Sequence, residues 1–228
     1  MTLSQLQAFT AQFAFDVGQS RYSALYVNVI NEAQVQFALD TRCLFKDQAI
    51  SVVSGTAVYA LPSDFMFEKK VTLSTVNNAV GGIGLKPVSR ATLEFYNTAQ
   101  DWTQINGTPT NYIIDPELAR QQIRLYPVPQ GADAGTNNLL LTYYPLPATL
   151  VNPTDVPLNG NLLLAEHHIG IAAYAAWLLL QAEVATPETI AKLQQLYKLY
   201  QDKVTICIDR WGNTSSEGLR FLGGRTWH

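Results

Sequence analysis

Charge is scarce in this sequence. Of 228 residues only 14% are Asp, Glu, Lys or Arg, against roughly 25% in an ordinary soluble domain. Hydrophobic residues supply 47%, which excludes a disordered chain. Much of the remainder is Asn, Gln, Ser and Thr. Amides and hydroxyls cost less to desolvate than ions. Such a surface suits an ordinary low-charge domain, and equally a subunit covered by its neighbours. The net charge is −3 and the isoelectric point about 5.6, which argues against a basic nucleic-acid binder. It is compatible with a surface that nucleic acid slides past without sticking.

Cysteine is scarce too. Cys43 and Cys207 are the only two. They lie far apart in sequence and read as reduced, buried thiols. Met1–Phe15 shows no basic start, apolar centre and small-residue cleavage site, so no signal peptide is expected. The Asn106 and Asn213 glycosylation patterns then carry no weight. Long apolar runs are missing as well: Ile169–Leu180 falls short of the ~20 residues that span a bilayer. It is flanked by His167 and His168 on one side and Gln181 and Glu183 on the other. The reading is a buried helix and no membrane.

Catalytic motifs are absent. There is no G-x-S-x-G elbow, P-loop or dinucleotide fingerprint. The cluster Gly81-Gly82-Ile83-Gly84 lacks the Lys-Ser/Thr of a phosphate cradle. His167 and His168 are adjacent on a helix, so their rings diverge, and the H-E-x-x-H spacing beside Glu166 is missing. They are expected at a polar helix start beside a subunit interface. Asp115 and Glu117 flank the turn residue Pro116, where no pocket could push two carboxyl pKa values apart. Trp102, Tyr112, Tyr143, Tyr144 and the loop Gly131–Asn137 could line a sugar site, but aromatics are also ordinary strand residues. No catalytic residue, metal or cofactor is expected, and the chain is read as not an enzyme.

What is present is a change of period. Thr2 and Gln5 form a capping box, followed by Leu6, Phe9 and Phe13 at helical spacing, and Gly18 is expected to end that helix. Val27, Ile30, Ala33, Phe37, Thr41 and Leu44 mark a second helix over about Ser23–Phe45, with Asn31, Glu32, Gln34, Asp40 and Arg42 pointing mostly elsewhere. From about Ala49 to Leu150 the pattern is that of strands. Ile50–Val53 and Ala57–Leu61 flank Ser54-Gly55-Thr56 and read as a hairpin. Lys70–Val76 alternates, and Arg90–Tyr96 reads as a brief helix. Asn111–Ile114 and Gln122–Tyr126 flank the turn Asp115-Pro116-Glu117-Leu118. Gly131–Asn137, which holds Asp133, reads as a loose loop before the strand Leu139–Tyr144. Together these read as an antiparallel meander, a small sandwich or barrel.

Asn161 then caps a helix from Leu162 to about Val184. It is apolar nearly all round, with Gly170, Ala173 and Ala176 three apart and open to close approach by another helix. Thr186 caps a last helix with Pro187 in its first position. Its expected apolar stripe is Ile190, Leu193, Tyr197, Tyr200 and Val204. The tail Trp211–His228 combines Gly and Ser with Leu219, Phe221, Leu222 and Trp227. It either folds back or docks on a partner.

The predicted fold class is α+β: N- and C-terminal helices forming a bundle, an inserted antiparallel β-domain and an extended C-terminal arm. The predicted segments are 1–48, 49–150, 151–210 and 211–228. This layout resembles the head-to-tail adaptor (connector) proteins of short-tailed and related tailed bacteriophages. The resemblance rests on the helix Ile30–Phe45, on Val58-Tyr59-Ala60-Leu61-Pro62-Ser63-Asp64-Phe65 and on Gly107-Thr108-Pro109-Thr110-Asn111-Tyr112-Ile113-Ile114. Ile123-Arg124-Leu125-Tyr126-Pro127-Val128-Pro129, Leu140-Leu141-Thr142-Tyr143-Tyr144 and Pro145-Leu146-Pro147 continue it. It covers roughly residues 33–203 and contains no catalytic motif.

The resemblance implies a virion protein at the head–tail junction, made in the host cytoplasm. It implies a homo-oligomeric ring, usually of twelve copies, under the portal. DNA would pass through the ring without specific binding. The partners it implies are the portal protein and a tail or nozzle protein. Trp211, Leu219, Arg220, Phe221, Leu222 and Trp227 become an expected portal-docking arm. Gly170, Ala173, Ala176 and Trp177 become expected inter-subunit packing residues, and Asp115, Pro116, Glu117 and Asp133 expected tail-facing loop residues. A tail-tube gatekeeper, a carbohydrate- or receptor-binding tail module and an unrecognised hydrolase stand as alternatives.

Overall fold

A computed structural model of the chain describes residues 1–16, 18–74, 82–97, 100–114, 121–184 and 186–211. The chain divides into a helical unit, Met1–Leu44 with Leu146–His228, and a β unit, Phe45–Pro145.

In the helical unit, α1 (Leu3–Phe13) starts as its sequence demands. The Thr2 hydroxyl accepts from the Gln5 amide, and the Gln5 side chain returns the bond to the Thr2 amide. Its next free N–H groups are taken by the strap after residue 150: Leu3 N donates to Asp155 O at 2.7 Å and Ser4 N to Pro153 O at 3.0 Å. Asp16 closes the loop after α1, accepting from the amides of Ser20, Arg21 and Tyr22 and from the Tyr26 hydroxyl. Burial pushes its pKa up, but the Tyr26 hydroxyl and the loop amides outweigh burial and hold the carboxyl below its usual range.

α2 (Tyr26–Thr41) is shorter at both ends than its periodicity implies; Arg42 turns left-handed and ends it. Its buried face includes Ile30, Ala33, Phe37 and Thr41, as expected. Gln34 is buried too, contrary to expectation. Asn31 exchanges two bonds with Leu150, donating to its carbonyl at 3.0 Å and accepting from its amide at 2.8 Å. Gln34 donates to Ala148 O and accepts from Leu158 N. The two amide side chains act as a strand-like partner for the strap, so polar groups belong on the inner face. Asn31→Ala removes both bonds to Leu150 and leaves that residue's backbone groups unpaired. A destabilisation of about 2–3 kcal/mol is expected, measured as a lower urea midpoint at unchanged slope.

Asn161 caps as predicted, its side chain accepting from Leu163 N, but the residues it caps form a 3-10 stretch, Leu162–His167. The α-helix proper, α4 (His168–Leu180), comes after it. Leu163–Leu180 is the one span among the described residues long and apolar enough to cross a membrane by length and composition; 61% of it is buried inside the fold. It forms the centre of the bundle, with α1, α2 and α5 (Pro187–Trp211) packed around it. On α5 the deeply buried positions are Leu196, Tyr200 and Cys207. Leu193 and Val204 of the predicted stripe pack against this core beside Tyr200, while Ile190 and Tyr197 stay exposed.

The β unit contains two four-stranded sheets. One has the order β1 (Lys46–Val52), β8 (Gly135–Pro145), β3 (Phe65–Leu73), β4 (Ile83–Gly84). The other has the order β2 (Val58–Ala60), β7 (Gln122–Tyr126), β6 (Asn111–Ile113), β5 (Lys86–Pro87). A short helix, α3 (Arg90–Tyr96), is inserted where predicted, capped by Ser89. All pairings are antiparallel except β5 with β6. Val71, Leu73, Leu139, Leu141 and Tyr143 of the first sheet share one core with Tyr59, Tyr112, Ile123 and Leu125 of the second. This is a small sandwich.

The hairpin expected around Gly55 does not form. β1 pairs with β8 and β2 with β7, so the chain crosses from one sheet to the other there. The Tyr59 hydroxyl holds the crossing by donating to Thr56 O at 2.6 Å. Two alternating runs around a glycine match a hairpin and a sheet change equally well, and partners distant in sequence decide between them. β6 and β7 do pair, Tyr112 opposite Leu125; their connecting residues 115–120 lie outside the described residues.

Candidate assembly surfaces

His167 and His168 are fully buried, not at a polar helix start facing a neighbour. The α-amino group of Met1 lies 2.9 Å from His168 Nδ1, and the other ring nitrogens of the pair have no hydrogen-bond partner. Burial pushes the His168 pKa down to about 4, and the nearby α-ammonium adds to this. His167 is lowered mainly by burial, against the pull of Glu166, 3.5 Å from its Nε2. These are neutral core imidazoles. Among the described residues no group of three or more His, Cys, Asp or Glu could hold a metal ion.

The small residues of α4 are used within the chain. Gly170, Ala173 and Ala176 are buried. A Cβ on Gly170 would lie 2.9 Å from Lys203 Cβ and 3.6 Å from Phe37 Cε2. At Gly170 the close approach is to α5 and α2 of the same chain, and Ala173 and Ala176 lie in the same buried core. Trp177 differs. It is half-buried, stacked on Tyr174 with centroids 5.2 Å apart and against Tyr197 at 5.2 Å, while Tyr174 meets Tyr200 at 4.6 Å. Tyr197 and Ile190 extend this aromatic face onto the exposed side of α5.

Asp133 does not present a carboxylate to a partner. It is 2% exposed, and its side chain turns back to accept from Gln130 N at 3.3 Å. The stretch expected to be a loose loop is a 3-10 turn, Gly131–Asp133, running straight into β8. Asp115, Pro116 and Glu117 lie outside the described residues, as do Leu219, Arg220, Phe221, Leu222 and Trp227. Trp211 is the last residue of α5, and its side chain lies outside the described part of the chain.

Of the aromatics weighed as a sugar platform, three face inward and Tyr144 is half-buried on the other face of β8. Trp102 and Tyr112 are buried, as is Tyr143. The Arg124 guanidinium lies 5.0 Å over the Trp102 ring, and Tyr143 donates to Asp64 at 2.7 Å. The exposed aromatics are others. Phe95 and Tyr96 on α3 are 74% and 76% exposed, edge to face at 5.5 Å. Two consecutive large apolar residues ending a seven-residue helix cannot both face inward, and that signal was legible in the sequence. Phe15 on the helical unit is 66% exposed beneath the Lys192 ammonium.

The described residues thus offer aromatic faces for association. The family model described as SU10 adaptor protein matches residues 1–216, which takes in both units. No curated protein matches the chain. With helices at both ends around an inserted sandwich, and the match running through all of them, the chain belongs to the SU10 adaptor protein family, in keeping with its resemblance to phage head-to-tail adaptors.

Proposed function

We propose that this chain builds a ring of about twelve copies beneath the portal vertex of a phage capsid, extending the DNA channel and docking the tail. The observation that carries the reading is the family match across both units. Physical chemistry supports it. One patch binding a different patch on the next copy closes into a ring when the rotation allows. The half-buried Trp177 and exposed Tyr197 give the helical unit an aromatic face for such a contact. A chain of net charge −3 with few ions suits a channel that must not grip DNA. Residues 211–228, with Leu219, Phe221, Leu222 and Trp227 beside Arg220, serve as the arm to the portal. Asp115, Pro116 and Glu117 serve the tail side. The role is structural, with no chemistry of its own.

The test is copy number in purified virions, quantified by mass spectrometry against the portal protein. A ratio near one, with the chain absent from unfilled, tailless precursors, is expected of an adaptor added after packaging. A ratio near one half would point to a six-fold tail part, and absence from particles would overturn the structural role. The free chain is expected to be monomeric or weakly associated, because an arm that orders on docking defers that ordering cost to assembly. A stable twelve-mer of the isolated chain in native mass spectrometry would contradict this.

A further inference from the structure

The two cysteines, distant in sequence, meet in the fold. α2 and α5 advance side by side: the Tyr200 hydroxyl donates to Asp40, and the Tyr200 ring lies 6.1 Å from Phe37. Lys203, almost one turn on, packs over Gly170 beside Phe37. One more turn brings Cys207 level with the end of α2. There Arg42 takes a left-handed conformation (φ 49°), which turns Cys43 back into the same core cluster. Both thiols are free and buried, and each is the other's side-chain hydrogen-bond partner, with the Thr41 hydroxyl beside both.

Their environments differ in a useful way. Cys43 sits at the rim, 9% exposed, and Cys207 is fully enclosed. The hydrogen bond from Cys207, aided by Thr41 against the cost of burial, holds the Cys43 thiol below its usual range. The same hydrogen bond and burial push Cys207 up. Thiolate character and access both favour Cys43 as the attacking sulfur.

We propose that Cys43 and Cys207 are a modification site, a thiol pair that a small-molecule disulfide converts into an intramolecular disulfide joining the end of α2 to the last turns of α5. The Cys43 thiolate attacks one sulfur of the reagent, forming a mixed disulfide and expelling one reagent thiolate. Cys207 then gives up its proton, and its sulfur attacks Cys43 Sγ, expelling the second reagent thiolate. The chain loses two electrons and two protons, and the reagent gains them as two thiols. No other oxidant is required.

The test uses the full folded chain with excess hydroxyethyl disulfide. The reaction is quenched, the chain is unfolded and alkylated, and its intact mass is read. Wild type is expected to lose two hydrogens, take no alkyl group and recover both thiols on treatment with dithiothreitol. Cys207→Ala is expected to stop at a single mixed disulfide on Cys43, and Cys43→Ala to leave Cys207 unmodified. Two alkylatable thiols, two reagent adducts or a chain-to-chain link in wild type would each overturn the proposal. The wild-type result decides alone if either variant fails to fold.

Discussion

Phe37→Ala is expected to destabilise the helical unit by about 3–5 kcal/mol, the range found for removing a large aromatic side chain from a packed core. Phe37 is fully buried where three helices meet. Its ring lies 6.2 Å from that of His167 and 6.1 Å, edge to face, from that of Tyr200. It also covers Gly170, whose missing side chain leaves room for it. The cavity left by alanine is walled by helices that cannot collapse without parting from one another. Domains are stable by only about 5–15 kcal/mol, so the loss is a large share of the total. Urea unfolding followed by far-UV circular dichroism should show a clearly lower midpoint. Phe95→Ala is the contrast, since its ring is mostly in water and the expected change is within about 0.5 kcal/mol. An unchanged midpoint for Phe37→Ala would mean that α2 is not fastened to α4 and α5 through this ring.

The second large effect is a loss of stability in mild acid through His168. In the folded chain its pKa is pushed down to about 4 from an ordinary 6.5, mainly by burial. Above pH 6.5 the ring is neutral whether the chain is folded or not. Between pH 6.5 and about 4 the unfolded chain takes up the proton and the folded chain does not. Stability therefore falls as the pH falls through that window. At ~1.4 kcal/mol per pKa unit the ceiling is roughly 3 kcal/mol, and relaxation around the charge reduces the expected loss to about 2 kcal/mol. His167, also lowered, adds in the same direction. Asp16, Asp64 and Asp155 are held below their usual range, so their contribution is lost at lower pH. His168→Asn should flatten the slope between pH 6.5 and 4.5 in urea titrations at several pH values. An equal slope in wild type and variant would assign the acid sensitivity to other groups.

The elements legible in the sequence are those whose cause is local. The Thr2–Gln5 capping box, the Thr186-Pro187 helix start, the Asn161 cap and the alternation Leu139, Leu141, Tyr143 all stand in the structure. The sequence misleads where the deciding partner is remote. Gln34 reads as a wet amide until the strap at Ala148 and Leu158 is placed against it. The pairing of β1 with β8 joins residues about ninety apart, and no turn chemistry near Gly55 announces it. Gly170, Ala173 and Ala176 announce a close helix contact, but not whether the approaching helix belongs to the same chain. For the interaction surfaces the sequence named apolar residues and could not say which stay in water. Trp102 and Phe95 look alike as letters, and only the packed sandwich separates them.

The β unit leaves and rejoins the chain through neighbouring strands. Lys46, the first residue of β1, lies opposite Tyr143, two residues before the end of β8. A segment whose two ends are held a ladder's width apart is, to the rest of the chain, a short loop whatever its length. It can be lengthened, trimmed or exchanged during evolution with little change in the closure entropy of its host. A designer could use the same seam, replacing residues 46–143 by a tight turn, or by a foreign domain with adjacent termini, while the helices around α4 keep their own contacts.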